Sequence, residues 1–227
     1  MQYLTATDHL AALLVTALLA TVLIVAARRK PSGWTRWAGR ALGVVIVANE
    51  LIYFATNWSN GTFSLSHSLP LYLCDVAAFV AGVALWWPRP VLVELTYFWG
   101  LAGSIQGLLT PDSNLVFPRY DYFQYYVDHC GVILAALFLV AGLRIQMRAG
   151  SVRRVFLLTI AFTAFVAVCD VTTGGDYMYL RSKPGAGSLL SVMGPWPWYI
   201  ASGTLVALLF LLILDAPFRQ IRRMQHG

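Results

Sequence analysis

Apolar runs of about twenty residues recur along the chain and alternate with short segments that are polar or rich in glycine and proline. A helix of that length crosses about 30 Å of hydrocarbon, because each residue adds about 1.5 Å. Seven runs have this character: residues 8–28, 37–57, 69–87, 90–110, 122–143, 151–172 and 196–216. The alternating segments of about ten residues that typify a membrane β-barrel are lacking. The pattern predicts an all-α, polytopic membrane protein in which residues 1–227 form one domain, a bundle of seven transmembrane helices.

The composition agrees with this pattern, since 59% of the residues are hydrophobic and only 11% are charged. Soluble domains carry roughly a quarter charged residues. Of the sixteen Lys and Arg residues, only Arg119, Arg181 and Lys183 lie outside the loops after spans one, three and five and the C-terminal tail. Because basic residues collect on the cytoplasmic side, this asymmetry predicts an N-terminus outside the cell membrane and a C-terminus in the cytoplasm. The basic residues form no stripe, so the net charge of +6 does not indicate a nucleic-acid partner.

Polar residues that are costly to bury occur at similar depths in five of the spans. We place them roughly 3 to 10 Å below the predicted outer ends of their helices. The layer comprises Asn49, Glu50, Cys74, Asp75, Gln106, Asp128, His129 and Asp170. Each isolated charge costs ~2.5–3.5 kcal/mol or more in lipid, so these groups are expected to face one another and to line one outward-opening cavity. Tyr53 and Asn57 continue the polar face of span two, whereas only Glu94 falls near the inner membrane face.

A thiol and an imidazole stand out within this layer. Cys74 lies about 8 Å below the start of span three, whose first turn contains Pro70, and His129 lies at a matching depth on span five. In such a pair the imidazole takes the proton of the thiol, and the thiolate attacks an acyl carbonyl to give a thioester. Asp128 is ~100° around the helix from its neighbour, so we expect it not to orient the imidazole.

Several other residues are open candidates for supporting roles. The groups that could orient the imidazole from facing helices are Glu50, Asp75 and Asp170, and the candidate oxyanion donors are Asn49, Gln106 and the hydroxyl of Tyr72. The same polar groups could instead form a hydrogen-bonded plug that only locks the bundle. No metal is expected, because His129 is the only well-placed imidazole and a metal site needs three or four ligands. No cofactor is expected either.

Several strings carry a resemblance to a known family. They are Asn49-Glu50-Leu51, the run from Leu69 to Asp75, Tyr97-Phe98-Trp99-Gly100, Leu109-Thr110-Pro111-Asp112, His129, Tyr177 to Arg181, and Gly194 to Tyr199. These strings, which extend over spans two to seven, resemble the bacterial YwaF-type integral membrane proteins. That group resembles the TMEM164 acyltransferase family, which is related to the androgen-induced membrane hydrolases of fatty-acid esters. The resemblance implies an acyl-handling enzyme of phospholipids in a bacterial plasma membrane, with Cys74 as nucleophile and His129 as its partner. The family commonly has histidine where this chain has Tyr72.

The long loop from Thr172 to Pro195 is expected to cover the mouth of the cavity. Its Arg181 and Lys183 are suited to a phosphate headgroup, and Trp196 and Trp198 are either an interfacial aromatic belt or headgroup contacts. The partner predicted from these features is a membrane phospholipid or another fatty-acyl ester.

The alternative function is a transporter or proton-relay protein with a polar intramembrane cavity. A relay is expected to continue across the membrane, whereas the polar layer is one-sided. A retinal protein is excluded, since residues 196–216 contain no lysine for a Schiff base.

Overall fold

The computed structural model describes residues 6–30, 32–111, 115–184 and 188–224. Parts of the predicted loops 111–121 and 172–195, Asp112 among them, lie outside the described residues. Within these ranges the longer elements are α1 (Ala6–Arg29), α2 (Gly33–Ser59), α3 (Leu73–Trp86), α4 (Pro90–Trp99), α5 (Ile105–Leu109), α6 (Tyr120–Leu137), α7 (Ser151–Thr173) and α8 (Trp198–Met224). A π-helical segment, Gly100–Ser104, joins α4 to α5, and a second, Phe138–Gly142, extends α6. The loop between α7 and α8 contains the 3₁₀ turns Tyr177–Tyr179 and Leu189–Val192.

The structure confirms the all-α class and the membrane-spanning character of the chain. Five helices are long and apolar enough to cross a membrane: α1, α2, α6 with its π extension, α7 and α8. Many of their large apolar side chains, such as Leu14 and Leu18 of α1, point outward, which suits contact with lipid. The shorter α3 has 14 residues, and α4 reaches membrane length only through its π segment and α5. The count of seven spans and the orientation of the termini stay predictions.

The start of α3 differs from the sequence-based expectation. Pro70 does not lie in a helical turn, because α3 begins at Leu73 with Tyr72 as an extended N-cap residue (φ −70°, ψ 146°). The preceding backbone is engaged elsewhere, since the N–H of Leu69 donates to the hydroxyl of Tyr177 at 2.8 Å. Cys74 therefore lies in the first turn of α3, where free backbone N–H groups favour negative charge, and not two turns into a helix.

Glycines bring the central helices close together. A Cβ on Gly43 of α2 would lie 3.0 Å from the carbonyl oxygen of Gly82 in α3, and one on Gly131 of α6 would lie 2.9 Å from Ile46 of α2. Gly100 meets α6 in the same way, because a Cβ there would lie 3.0 Å from a methyl carbon of Val132. Small residues at such contacts let membrane helices approach closely. As a result α2, α3 and α6 pack together around the polar layer.

The opposite end of the bundle contains two buried ion clusters. Glu94 of α4 binds Arg148 at 2.9 Å and Arg154 of α7 at 2.7 Å. Asp215 of α8 binds Arg219 at 2.8 Å and Arg222 at 3.0 Å. Glu94 was expected to be the only acidic group at this face, and that expectation is wrong because Asp215 lies at the same end. Both carboxylates are compensated by two arginines, which makes their burial tolerable.

Candidate active site

The thiol of Cys74 and the imidazole of His129 meet between α3 and α6. The Cys74 side chain lies within interaction range of the His129 imidazole. His129 is buried, and Cys74 is partly buried at the start of α3. The sequence analysis paired these two residues because their predicted depths were similar, and the structure brings them together.

The other face of the imidazole is held by α6 itself. Nδ1 of His129 lies 3.0 Å from the carbonyl oxygen of Tyr125 and 3.1 Å from Oδ2 of Asp128. Both neighbours are acceptors, so Nδ1 carries a proton and Nε2 is the nitrogen that remains for the Cys74 thiol. The expectation that Asp128 is turned too far around the helix is wrong. A carboxylate one residue earlier can fold back along the helix surface and reach the ring.

Helix α5 and Tyr125 enclose the imidazole. The Tyr125 ring stacks on the His129 ring, with centroids 4.2 Å apart and an angle of 24°. The Tyr125 hydroxyl donates to the carbonyl oxygen of Gly107 at 2.6 Å. A Cβ on Gly107 would lie 2.6 Å from Nε2 of His129, so only glycine leaves room for the ring here. The orientation of the base thus depends on Gly107 and Tyr125, two residues that the sequence pattern did not assign to the site.

Three carboxyl groups surround this pair. Glu50, Asp75 and Asp128 lie within electrostatic range of one another and of His129. The Glu50 side chain is 1% exposed, and its Oε1 lies 3.4 Å from the amide nitrogens of both Asn49 and Gln124. Within the described part of the chain, Oε2 of Glu50 and Oδ1 of Asp128 have no hydrogen-bond partner although they are buried. Unsatisfied buried oxygens of this kind are typical of functional sites.

Asp170 has a different position from the other acidic groups of the layer. Its Oδ1 accepts a hydrogen bond from the backbone N–H of Tyr177 at 2.8 Å. Asp170 therefore holds the loop after α7, and its observed contacts give it no role in orienting His129. A predicted depth alone does not say which neighbour a side chain faces.

Tyr177 fastens the loop after α7 onto the segment before Cys74. Its hydroxyl accepts from the Leu69 N–H at 2.8 Å and donates to the Leu65 carbonyl at 3.0 Å. Burial raises the pKa of this hydroxyl, which keeps it protonated for the second bond. The Tyr177 ring also packs against Tyr72, with centroids 5.3 Å apart. Tyr72 therefore serves as packing surface for the loop, two residues before the thiol.

The basic residues of that loop are already in contact with the loop backbone. Arg181 donates through Nη1 to the Gly175 carbonyl at 3.0 Å, and Lys183 donates to the Ser191 carbonyl at 3.3 Å. Lys183 also lies 5.4 Å from the centre of the Tyr199 ring. Each cation keeps further N–H groups, so a phosphate contact is compatible with these bonds.

The remaining predicted residues differ in their surroundings. Trp196 and Trp198 are exposed, and the indole of Trp196 donates to the Leu180 carbonyl at 3.1 Å. The side chains of Tyr53 and Asn57 are neighbours on α2, and Asp75 lies within electrostatic range of Tyr53. Gln106 is partly buried on α5. Among the described residues, no group of three or more His, Cys, Asp or Glu side chains is arranged to hold a metal ion.

The comparison with known families agrees with these observations. A model of the TMEM164 family matches residues 3–215, which is nearly the whole chain. No curated protein and no solved structure matches the chain significantly. The bacterial origin, the YwaF type and the relationship to hydrolases stay predictions.

Proposed function

The chain belongs to the TMEM164 family, and we propose on that premise that it is a membrane enzyme that transfers or hydrolyses acyl groups of lipid esters. The observation that supports this most directly is the proximity of the Cys74 side chain to the His129 imidazole at the N-terminus of α3. A nucleophile beside a base that is itself oriented by a third group is the arrangement of covalent acyl transfer.

The first half-reaction forms a thioester. Nε2 of His129 accepts the proton of Cys74, and the thiolate attacks the carbonyl carbon of a lipid ester. The bond from that carbon to the alkoxy oxygen breaks, and the leaving lysolipid alkoxide takes the proton back from His129. Oδ2 of Asp128, which lies 3.1 Å from Nδ1, stabilises the imidazolium that forms between the two proton transfers.

The second half-reaction releases the acyl group. A water molecule or an acceptor hydroxyl loses its proton to His129 and attacks the thioester carbon. The carbon–sulfur bond breaks, and the Cys74 thiolate recovers its proton from the imidazolium. In both halves an oxyanion develops beside the start of α3. Because the first four N–H groups of a helix have no partner within it, the backbone N–H of Cys74, the second residue of α3, is a donor for that oxyanion.

The charged groups at the other end of the bundle do not favour the rival function, a proton relay or transporter. Glu94 and Asp215 each bind two arginines, at distances between 2.7 and 3.0 Å. Two guanidinium groups compensate each carboxylate, which is typical of a structural ion cluster and not of a station in a proton relay. A relay also has no need of the thiol next to His129.

Covalent trapping of the acyl intermediate tests the proposal. The purified protein is incubated with a phospholipid that carries a radiolabelled acyl chain, and protein-bound label that hydroxylamine releases is measured as thioester. We expect labelling of the wild type and of the control variants Cys130→Ala and Cys169→Ala, and no labelling of Cys74→Ala. Equal thioester labelling of Cys74→Ala and the wild type would overturn the proposal.

A glycine on α5 allows a second test. In Gly107→Ala the new methyl group would lie 2.5–2.6 Å from the His129 ring, against ordinary contacts of 3.4–4 Å. The imidazole has to move by about 1 Å, and a displacement of this size costs roughly a hundredfold in the rate of acyl transfer. The matched control is Gly103→Ala, whose Cβ would lie 3.7 Å from Leu73. If both variants keep the wild-type rate, the imidazole is not the base.

The loop cations give the substrate-binding part of the proposal. We place the phosphate of the lipid headgroup beside Arg181 and Lys183, at the mouth that Tyr177 closes. Replacement of both by glutamine is expected to raise the KM for a phospholipid about tenfold, because a charge-assisted hydrogen bond contributes roughly 1.5 kcal/mol. The KM for an acyl ester without a headgroup should stay unchanged. An equal rise in KM for both substrates would show that the two cations support the fold of the loop and do not bind the headgroup.

A further inference from the structure

A lipid-sized opening lies away from Cys74, between α7 and α8 at the basic end of the bundle. The cavity measures about 460 Å³. Its wall includes Arg153, Phe156, Leu208, Asp215, Arg219 and Arg222. Neither the acyl-transfer proposal nor the family membership assigns anything to this place.

The wall of this cavity changes character along α8. Leu208 lies fourteen residues before Arg222, a distance of about 21 Å along a helix. The end near Leu208 and Phe156 is apolar, whereas the end near Arg219 and Arg222 is cationic. A molecule that matches both ends is amphiphilic, with an acyl chain beside Leu208 and an anionic group beside the arginines.

The arginines retain capacity for an anion. Asp215 accepts from Nε of Arg219 and from Nη2 of Arg222, so one carboxylate is shared by two of the three guanidinium groups. Among the contacts of the described residues, Arg153 has no carboxylate or carbonyl partner, and its side chain is exposed. Three guanidinium groups against one carboxylate leave an excess of two positive charges around the opening.

We propose that this cleft binds an anionic phospholipid of the membrane leaflet at the basic end, with its phosphate between Arg153 and Arg219 and one acyl chain against Phe156 and Leu208. Clusters of basic residues at this membrane depth are attracted to anionic lipid by about 1 kcal/mol for each residue. The site is separate from the Cys74 centre, so it holds a lipid that stays bound through turnover.

Lipid binding to the purified full-length protein tests this assignment by native mass spectrometry. The probes are dioleoyl phosphatidylglycerol and, as the zwitterionic lipid with the same chains, dioleoyl phosphatidylcholine. We expect the wild type to prefer phosphatidylglycerol, and Arg153→Gln with Arg219→Gln to weaken that binding roughly tenfold. The control pair, Arg36→Gln with Arg89→Gln, removes the same charge from exposed residues at the same end, and should change the affinity less than twofold.

A third variant tests the apolar half of the cleft. Leu208→Trp fills the space for the acyl chain without changing a charge, and it should lower phosphatidylglycerol binding to the level of the Arg153 and Arg219 pair. Equal weakening by the two arginine pairs would show attraction to the general surface charge and would overturn the site. Unchanged binding in Leu208→Trp, or equal affinity for the two lipids in the wild type, would overturn it as well.

Discussion

The His129→Gln variant should turn over a phospholipid ester about a hundred to ten thousand times more slowly than the wild type. Glutamine fills a similar volume and can still form hydrogen bonds, but it cannot accept the proton of Cys74 at neutral pH. Since the wild-type imidazole is fixed by Asp128 at 3.1 Å and by the Tyr125 carbonyl at 3.0 Å, the loss is expected in kcat. The measurement is the initial rate of acyl transfer or hydrolysis in reconstituted vesicles.

The control for this variant is His9→Gln. His9 also lies in a helix and is also hydrogen-bonded, through Nδ1 to the hydroxyl of Tyr126 at 2.6 Å, but it is not paired with a thiol. Its replacement should leave the rate within about twofold, as expected for a residue outside the reacting group. A folded His129→Gln protein with wild-type turnover would remove the base from the mechanism.

The largest effect on stability is expected from Glu94→Ala, which should lower the free energy of unfolding by about 3 kcal/mol. Glu94 is 1% exposed and is held by Arg148 and Arg154. Without the carboxylate, two guanidinium groups face each other beside the buried start of α7. Their side chains are 45% and 33% exposed, so water takes up part of the charge and the cost falls at the lower end of the range for buried pairs. Unfolding by sodium dodecyl sulfate in mixed micelles measures it.

An exposed ion pair provides the comparison. Arg119 and Asp121 lie 3.7 Å apart with side chains 66% and 61% exposed, so Asp121→Ala should cost between about 0 and 1 kcal/mol. Similar losses for Glu94→Ala and Asp121→Ala would mean that the Glu94 cluster adds nothing beyond a surface pair.

The periodic apolar runs and the depth of the polar groups were sufficient to predict much of this molecule. The apolar runs located most helix ends to within about four residues, because a membrane helix must be both long and apolar, but α8 continues to Met224, well beyond the predicted end at residue 216. The pairing of Cys74 with His129 followed from depth alone, since few polar groups tolerate hydrocarbon.

Other features depended on information that a linear pattern does not contain. The start of α3 moved from residue 69 to Leu73 because Tyr177, more than a hundred residues later, binds the Leu69 backbone. Asp128 reaches His129 through its side-chain rotamer, which a helical-wheel argument ignores. Asp215 was missed because it lies at the very end of the last predicted apolar run. The arginines that follow it could equally have been basic residues that flank a span without binding a carboxylate.

The short length of α3 has a consequence for how the proposed enzyme would meet its substrate. Fourteen residues extend about 21 Å, roughly 9 Å less than the hydrocarbon thickness, so we expect Cys74 to lie within about 9 Å of the boundary between headgroups and acyl chains. The ester groups of a phospholipid lie at that same boundary. A lipid can then diffuse sideways to the thiol without leaving the bilayer, and the relevant concentration is two-dimensional. Diluting the substrate with an inert lipid should slow the enzyme, whereas diluting the whole vesicle suspension with buffer should not.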